Sequence, residues 1–205
     1  MNDNELERKK QVIGLYGEMQ LAMALHEKGW QVHRAYIDEG IDFTITKYWC
    51  AKCQKYSNQL IRVKKYHGTP KKCVTNLCEI CKTSELSIIS RYLQIKTSEG
   101  IETADSNIRK FSFHPKIRYD MGYNVLNIWT AILNNDEINK ICHFYIFNTK
   151  DLILFDDVNI DTYQITDNQK TTLTIDKSGK VLNKGLKYDY SCINSKFFNN
   201  FSALD

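Results

Sequence analysis

Four cysteines, spaced Cys50-Ala-Lys-Cys53 and Cys78-Glu-Ile-Cys81, constrain this chain more than any other feature. Two C-x-x-C hooks separated by 24 residues can close a tetrahedral four-sulfur shell around zinc. With every ligand drawn from protein, such a site has no open position for chemistry. The metal is then a staple, standing in for the core that a short segment cannot build. Cys73 adds a C-x4-C-x2-C pattern and is the alternative ligand, and His67 lies in the same segment. The expected shell is Cys50, Cys53, Cys78 and Cys81. A thioredoxin-like redox site would want one pair at the start of a helix. Cys142 and Cys192 are isolated and read as small buried apolar residues.

Charge is concentrated in the same place. Residues 47–82 hold nine Lys/Arg and one acid, Glu79, so this segment is net +8 in a chain of net +4, and the remainder is net −4. Lys47, Lys64, Lys65, Lys71 and Lys72 are the candidate nucleic-acid contacts. They would grip phosphate and fix position without reading sequence. A solvated surface loop could have the same composition. The polar start MNDNELERKK is unlike a signal peptide, and no apolar run approaches the roughly 20 residues of a membrane helix. The expectation is a cytoplasmic protein with reduced thiols and no membrane partner.

Residues 5–28 read as a helix, with Val12, Leu15, Tyr16, Met19, Ala22, Met23 and Leu25 or His26 at 3–4 spacing and Gly29 as its stop. WQVHRAYI (30–37) and IDFTIT (41–46) read as strands. Strand character returns at 87–97, 124–133 and 142–149, then a short helix at 150–158 and a hairpin at 171–182 turning at Lys177-Ser178-Gly179. A short helix is expected in the tail. The fold class is α/β, with residues 1–46 and 88–205 as the core and 47–87 as an inserted basic zinc module. If strands 41–46 and 91–97 pair, the module is an elaborated connection between them.

RYLQIKTSEG (91–100) places Gln94 and Lys96 on one face of an otherwise apolar strand, because strand side chains alternate. Asp42, on the neighbouring strand, can approach that face. Hard oxygen ligands beside an ammonium suit Mg²⁺ with an activated water attacking a phosphodiester. A solvated face with Asp opposite Lys is the ordinary alternative. Likewise Glu18 can be a solvated helix charge, and Asp42 can cap a turn with Gly40. Tyr92, Trp129 and Tyr145 read as core or sheet residues rather than base-stacking platforms.

GLYGEMQLAMALHEKGW with Glu18, GIDF with Asp42 and LQIKTS with Gln94 and Lys96, in that order, resemble the PD-(D/E)XK nuclease superfamily. The match runs over about residues 10–150, outside the zinc module and the C-terminal 55 residues. It implies a restriction-endonuclease-like core: a mixed central sheet flanked by helices, with the zinc insertion between two core strands. By position, Asp42 resembles the metal-binding acid, Lys96 the catalytic lysine and Glu18 the helix acid that many members point at the metal. Gln94 departs from the usual Asp or Glu, although Mrr-like restriction enzymes also have glutamine there. One negative charge fewer implies weaker Mg²⁺ affinity and a leaning toward Mn²⁺.

The resemblance implies an Mg²⁺- or Mn²⁺-dependent endodeoxyribonuclease acting on DNA, of a restriction, phage-defence or mobile-element type. Such enzymes often work as homodimers. Two alternatives share the fold: a Holliday-junction-type resolvase, and a catalytically inert DNA-binding subunit.

Overall fold

The computed structural model describes residues 2–34, 40–57, 60–66, 72–113, 125–134, 140–148, 151, 171–182 and 191–205. Of residues 60–66, 72–75, 134, 171, 191 and 192 it describes the backbone alone. Helix α1 spans Asp3–Glu27. Strands β1 (Gln31–Arg34), β2 (Phe43–Cys50), β3 (Lys55–Ser57), β4 (Leu60–Tyr66), β5 (Lys72–Cys78) and β6 (Leu86–Ser98) follow. Then come β7 (Ile101–Glu102), β8 (Ile108–Phe113), β9 (Val125–Asn134), β10 (Lys140–Asn148) and β11 (Thr171–Asp176). Helix α2 (Ser191–Lys196) and a 3-10 helix (Phe201–Leu204) complete the order.

The central sheet runs β1-β2-β6-β9-β10, with β3 added to β2. All its pairs are antiparallel except β6 with β9. A parallel pair needs a crossover, and residues 99–124 supply it. This stretch contains β7 and β8, and these join β11 in a second sheet, β11-β8-β7. Its signal was faint because β7 is two residues long and β8 alternates charge with aromatics, as IRKFSF.

Pleat alternation sorts the central sheet into two cores. On one face Phe43, Ile45, Leu93, Ile95, Leu126, Ile128, Phe144 and Ile146 pack beneath Leu21 and Leu25 of α1 and Leu204 of the 3-10 helix. On the other, Trp129, Ala131, Leu133, Tyr145 and Phe147 pack against Phe111, Phe113, Leu173 and Ile175 of the small sheet. Trp129 stacks on Phe113 at 5.0 Å. Trp129 and Tyr145 are thus core residues, as expected.

Helix α1 opens with a capping box, in which the Asn2 side chain accepts from the Glu5 N–H and Glu5 reaches back to the Asn2 N–H. It stops where Gly29 takes φ +83° and the Trp30 N–H donates to the Leu25 carbonyl. Apart from Leu25, the periodic stripe that marks the helix in the sequence is not its buried face. Val12 (66% exposed), Leu15, Met19 and Met23 point outward, while Gly17, Leu21 and Leu25 are buried. Gly17 is the reason. A Cβ there would collide with the Thr97 side chain, so only glycine lets α1 come this close to β6.

The insertion is ordered as strands rather than as an aperiodic loop. β2 continues to Cys50 and β6 begins at Leu86, so the β2–β6 pairing runs unbroken from Phe43↔Leu93 to Cys50↔Leu86. β4 and β5 form a separate two-stranded ribbon. Asn76 Nδ2 donates to the Tyr48 hydroxyl at 3.4 Å, tying the ribbon's base to β2. Of the short helix expected at 150–158, only Asp151 lies among the described residues, and it is helical. The 171–182 hairpin forms, with Ile175 bridging Val181.

Candidate functional site

Cys50, Cys53, Cys78 and Cys81 come together, their Sγ atoms all within 4.8 Å of one another. Cys50 and Cys81 are 3.6 Å apart, and Cys53 and Cys78 are 3.9 Å apart. A sulfur tetrahedron with Zn–S of about 2.3 Å has edges of about 3.8 Å, so the four thiols match a structural zinc to within about 1 Å. Cys73 lies in β5, and its side chain is outside the described residues, as is His67.

The two hooks share a construction. Gln54, directly after Cys53, has φ +52°, and Lys82, directly after Cys81, has φ +59°. These are left-handed conformations that side chains with a Cβ adopt at a cost. In the second hook the Lys82 N–H donates to the Cys78 carbonyl at 3.0 Å. The turn aims the backbone N–H groups of Cys81 and Ile80 at Cys78, and their dipoles bring its thiol down to about 7. A thiolate favoured by backbone dipoles is what a metal ligand needs. Cys53 is pushed up to about 12, first by its contact with the Cys81 thiol and then by burial. Cys142, partly buried at the edge of the α1-side core, is pushed up to about 11 by burial and suits the apolar role expected of it. The Cys192 side chain is outside the described residues.

A second group of side chains gathers at the opposite end of the β2–β6 pair. Asp42 stands one residue before β2, where the ladder ends. Its N–H donates to the Leu93 carbonyl at 2.9 Å, and its Oδ2 accepts from the Ile95 N–H, so the carboxylate replaces a backbone rung. One step beyond the Phe43↔Leu93 register, Asp42 falls opposite Gln94. Gln94 is 2% exposed, next to buried Asn127 on β9, and its Oε1 has no hydrogen-bond partner. Lys96 is half-buried two residues further along the same face. Gln94 and Lys96 share this face of β6 by pleat alternation.

Glu18 arrives from the other side of the sheet, carried by the close approach of Gly17 to Thr97. Burial pushes its carboxyl up, Arg34 pulls it down, the Asp42 charge pushes it up again and Lys96 pulls it down; the net shift is upward. Glu18 therefore senses the charges of Arg34, Asp42 and Lys96. Arg34 was not among the expected site residues. Its Nη2 lies 3.2 Å from Glu18 Oε2, and its only sequence signal was a cation near the end of a strand.

Lys47 is not offered to phosphate. It is 4% exposed, donates to Asp205 Oδ1 at 2.9 Å, and lies 5.2 Å from the ring centroids of both Trp30 and Tyr56. The reason is pleat parity: Lys47 shares a face with Phe43 and Ile45, the face that α1 covers. Lys64 and Lys65 lie in β4 and Lys72 in β5 with their side chains outside the described residues, and Lys71 is outside them altogether.

No helix among the described residues is long and apolar enough to cross a membrane. No family model matches the chain, and searches of curated proteins and of solved structures gave no match.

Proposed function

We propose that this chain is a metal-dependent DNA endonuclease whose active site is the Glu18, Asp42, Gln94 and Lys96 corner. The observation that carries the reading is that the charges of Asp42 and Lys96 both act on the half-buried Glu18, while Gln94, one register step from Asp42, buries an amide oxygen without a partner. A partnerless Oε1 is costly to bury and would be satisfied by a cation. The β1-β2-β6 antiparallel run followed by parallel β9 also supports the restriction-endonuclease-like core that the motif order implies.

Asp42 has one carboxylate oxygen, Oδ2, committed to the Ile95 N–H, which fixes its rotamer. With Gln94 Oε1 and Glu18 it offers hard oxygen donors suited to Mg²⁺ or Mn²⁺. A cation bound there would supply charge neutralisation at the phosphate and an acidic water. Lys96, as its ammonium, would orient that water and offset charge developing on the phosphate oxygens. The cysteine cluster, holding zinc, would fix the basic β4–β5 ribbon to the far end of the same strands.

A competing reading, a catalytically inert DNA-binding subunit, is favoured by the near-complete burial of Gln94. A cleavage assay on plasmid, linear duplex and four-way-junction DNA separates the two. Cutting in Mg²⁺ or Mn²⁺, abolished by EDTA and by Lys96→Ala, is the expected result, and the preferred substrate distinguishes endonuclease from resolvase. Binding without cutting in either metal would leave the inert reading.

A further inference from the structure

We infer that Arg34 is a resident counter-cation of this corner, which a divalent metal must displace from Glu18 before the site is loaded. The inference rests on the nuclease reading above. Arg34 is the last residue of β1 and pairs in register with Phe43, next to Asp42. Its guanidinium takes Glu18 Oε2 at 3.2 Å. The pair is lopsided, with the arginine side chain 66% exposed and the glutamate only 21%.

That asymmetry identifies what the contact does. An ion pair with one partner largely in water adds little to the stability of the fold. A half-buried carboxylate beside a second one, Asp42, does need a cation, because neither burial nor its neighbour favours its charge. Arg34 meets that need from the solvent side. The same oxygens are the ones Glu18 would present to Mg²⁺ or Mn²⁺, and a carboxylate oxygen held by a guanidinium is a poorer metal ligand. Loading is then an exchange of cations at Glu18: the metal enters, and Arg34 swings into solvent at no cost to the core.

The test is isothermal titration of the full chain with Mn²⁺ alone as the probe. Arg34→Ala should tighten Mn²⁺ binding by about two- to fivefold, the range set by an exposed ion pair. Arg34→Lys, which keeps a cation in reach, should fall between the two. In a Glu18→Gln background, Arg34→Ala should have no effect. Arg34 is exposed enough for these variants to fold, and Arg34→Gln repeats the test with the polar volume kept. Equal or weaker Mn²⁺ binding by Arg34→Ala would overturn the inference while leaving the nuclease reading standing. So would a gain that persists in the Glu18→Gln background, since that is long-range charge and not competition. If neither wild type nor variant binds Mn²⁺, both readings fall.

Discussion

The β2–β6 pair carries a cluster of four thiols at one end and the residues of the proposed hard-ligand site at the other. At the Cys50↔Leu86 end four thiols close on one another. At the Asp42 end, a carboxylate, an amide and an ammonium meet a second carboxylate brought by α1. The cysteine site is built by two local turns, each fixed by its own backbone, and its donor set is complete. The proposed oxygen site depends on long-range packing, on Gly17 against Thr97 and on the register of two strands. A closed site suits structure, and an open one suits chemistry.

If that contrast holds, the two ends should break differently. The largest effect belongs to Cys50→Ser, which removes a ligand from a site whose metal supplies the folding energy of its segment. Bound zinc, measured by elemental analysis, should fall from one per chain to none. Trypsin should then cut first among residues 51–85, while the two hydrophobic cores hold the rest.

Next comes Gly17→Ala, which forces a methyl into Thr97 and should cost about 1–3 kcal/mol, read as a lower urea midpoint. It should weaken Mn²⁺ binding as well, because Glu18 moves with the helix. Gly14→Ala is the control: nothing lies within 4 Å of a Cβ there, so better helix propensity should make it neutral or stabilising by up to about 1 kcal/mol. A smaller effect, in the opposite direction, is expected at the cysteine end. Lys82→Gly removes left-handed strain at φ +59° and should add about 1 kcal/mol to the zinc-loaded protein.

The smallest concerns pH. The Glu18 carboxyl is raised above its usual value, mainly by burial, so its protonated form is favoured by folding. Its contribution is fully present below the ordinary carboxylate value and is lost as pH rises through the raised one. In metal-free protein, Glu18→Gln should therefore match wild type in acid and gain relative stability as pH climbs toward neutrality. Melting curves across that range check the sign, and saturating Mn²⁺ should reverse it.

What could be read from the sequence divides along the same line. The cysteine shell was legible because its information is local: a spacing and a residue type determine it. The Asp42, Gln94, Lys96 face was legible because pleat alternation is a strict rule. Three things were not. Arg34 reaches Glu18 through tertiary packing that no window of sequence contains. The outward stripe of α1 has the period of a buried face, and only the Gly17–Thr97 contact decides which face goes in. Lys47 has the charge of a phosphate contact, but strand parity and the Trp30–Asp205 surroundings bury it.

The central claim is that one strand pair holds two metal sites of different kinds. It is tested most directly by counting both metals on the same sample, with zinc by elemental analysis and Mn²⁺ by titration, in wild type and Asp42→Asn. The account predicts one zinc per chain in both proteins, retained through dialysis, and one exchangeable Mn²⁺ in wild type that Asp42→Asn loses. Wild-type protein that keeps its zinc but takes up no Mn²⁺, or an Asp42→Asn variant that binds Mn²⁺ as wild type does, would contradict it.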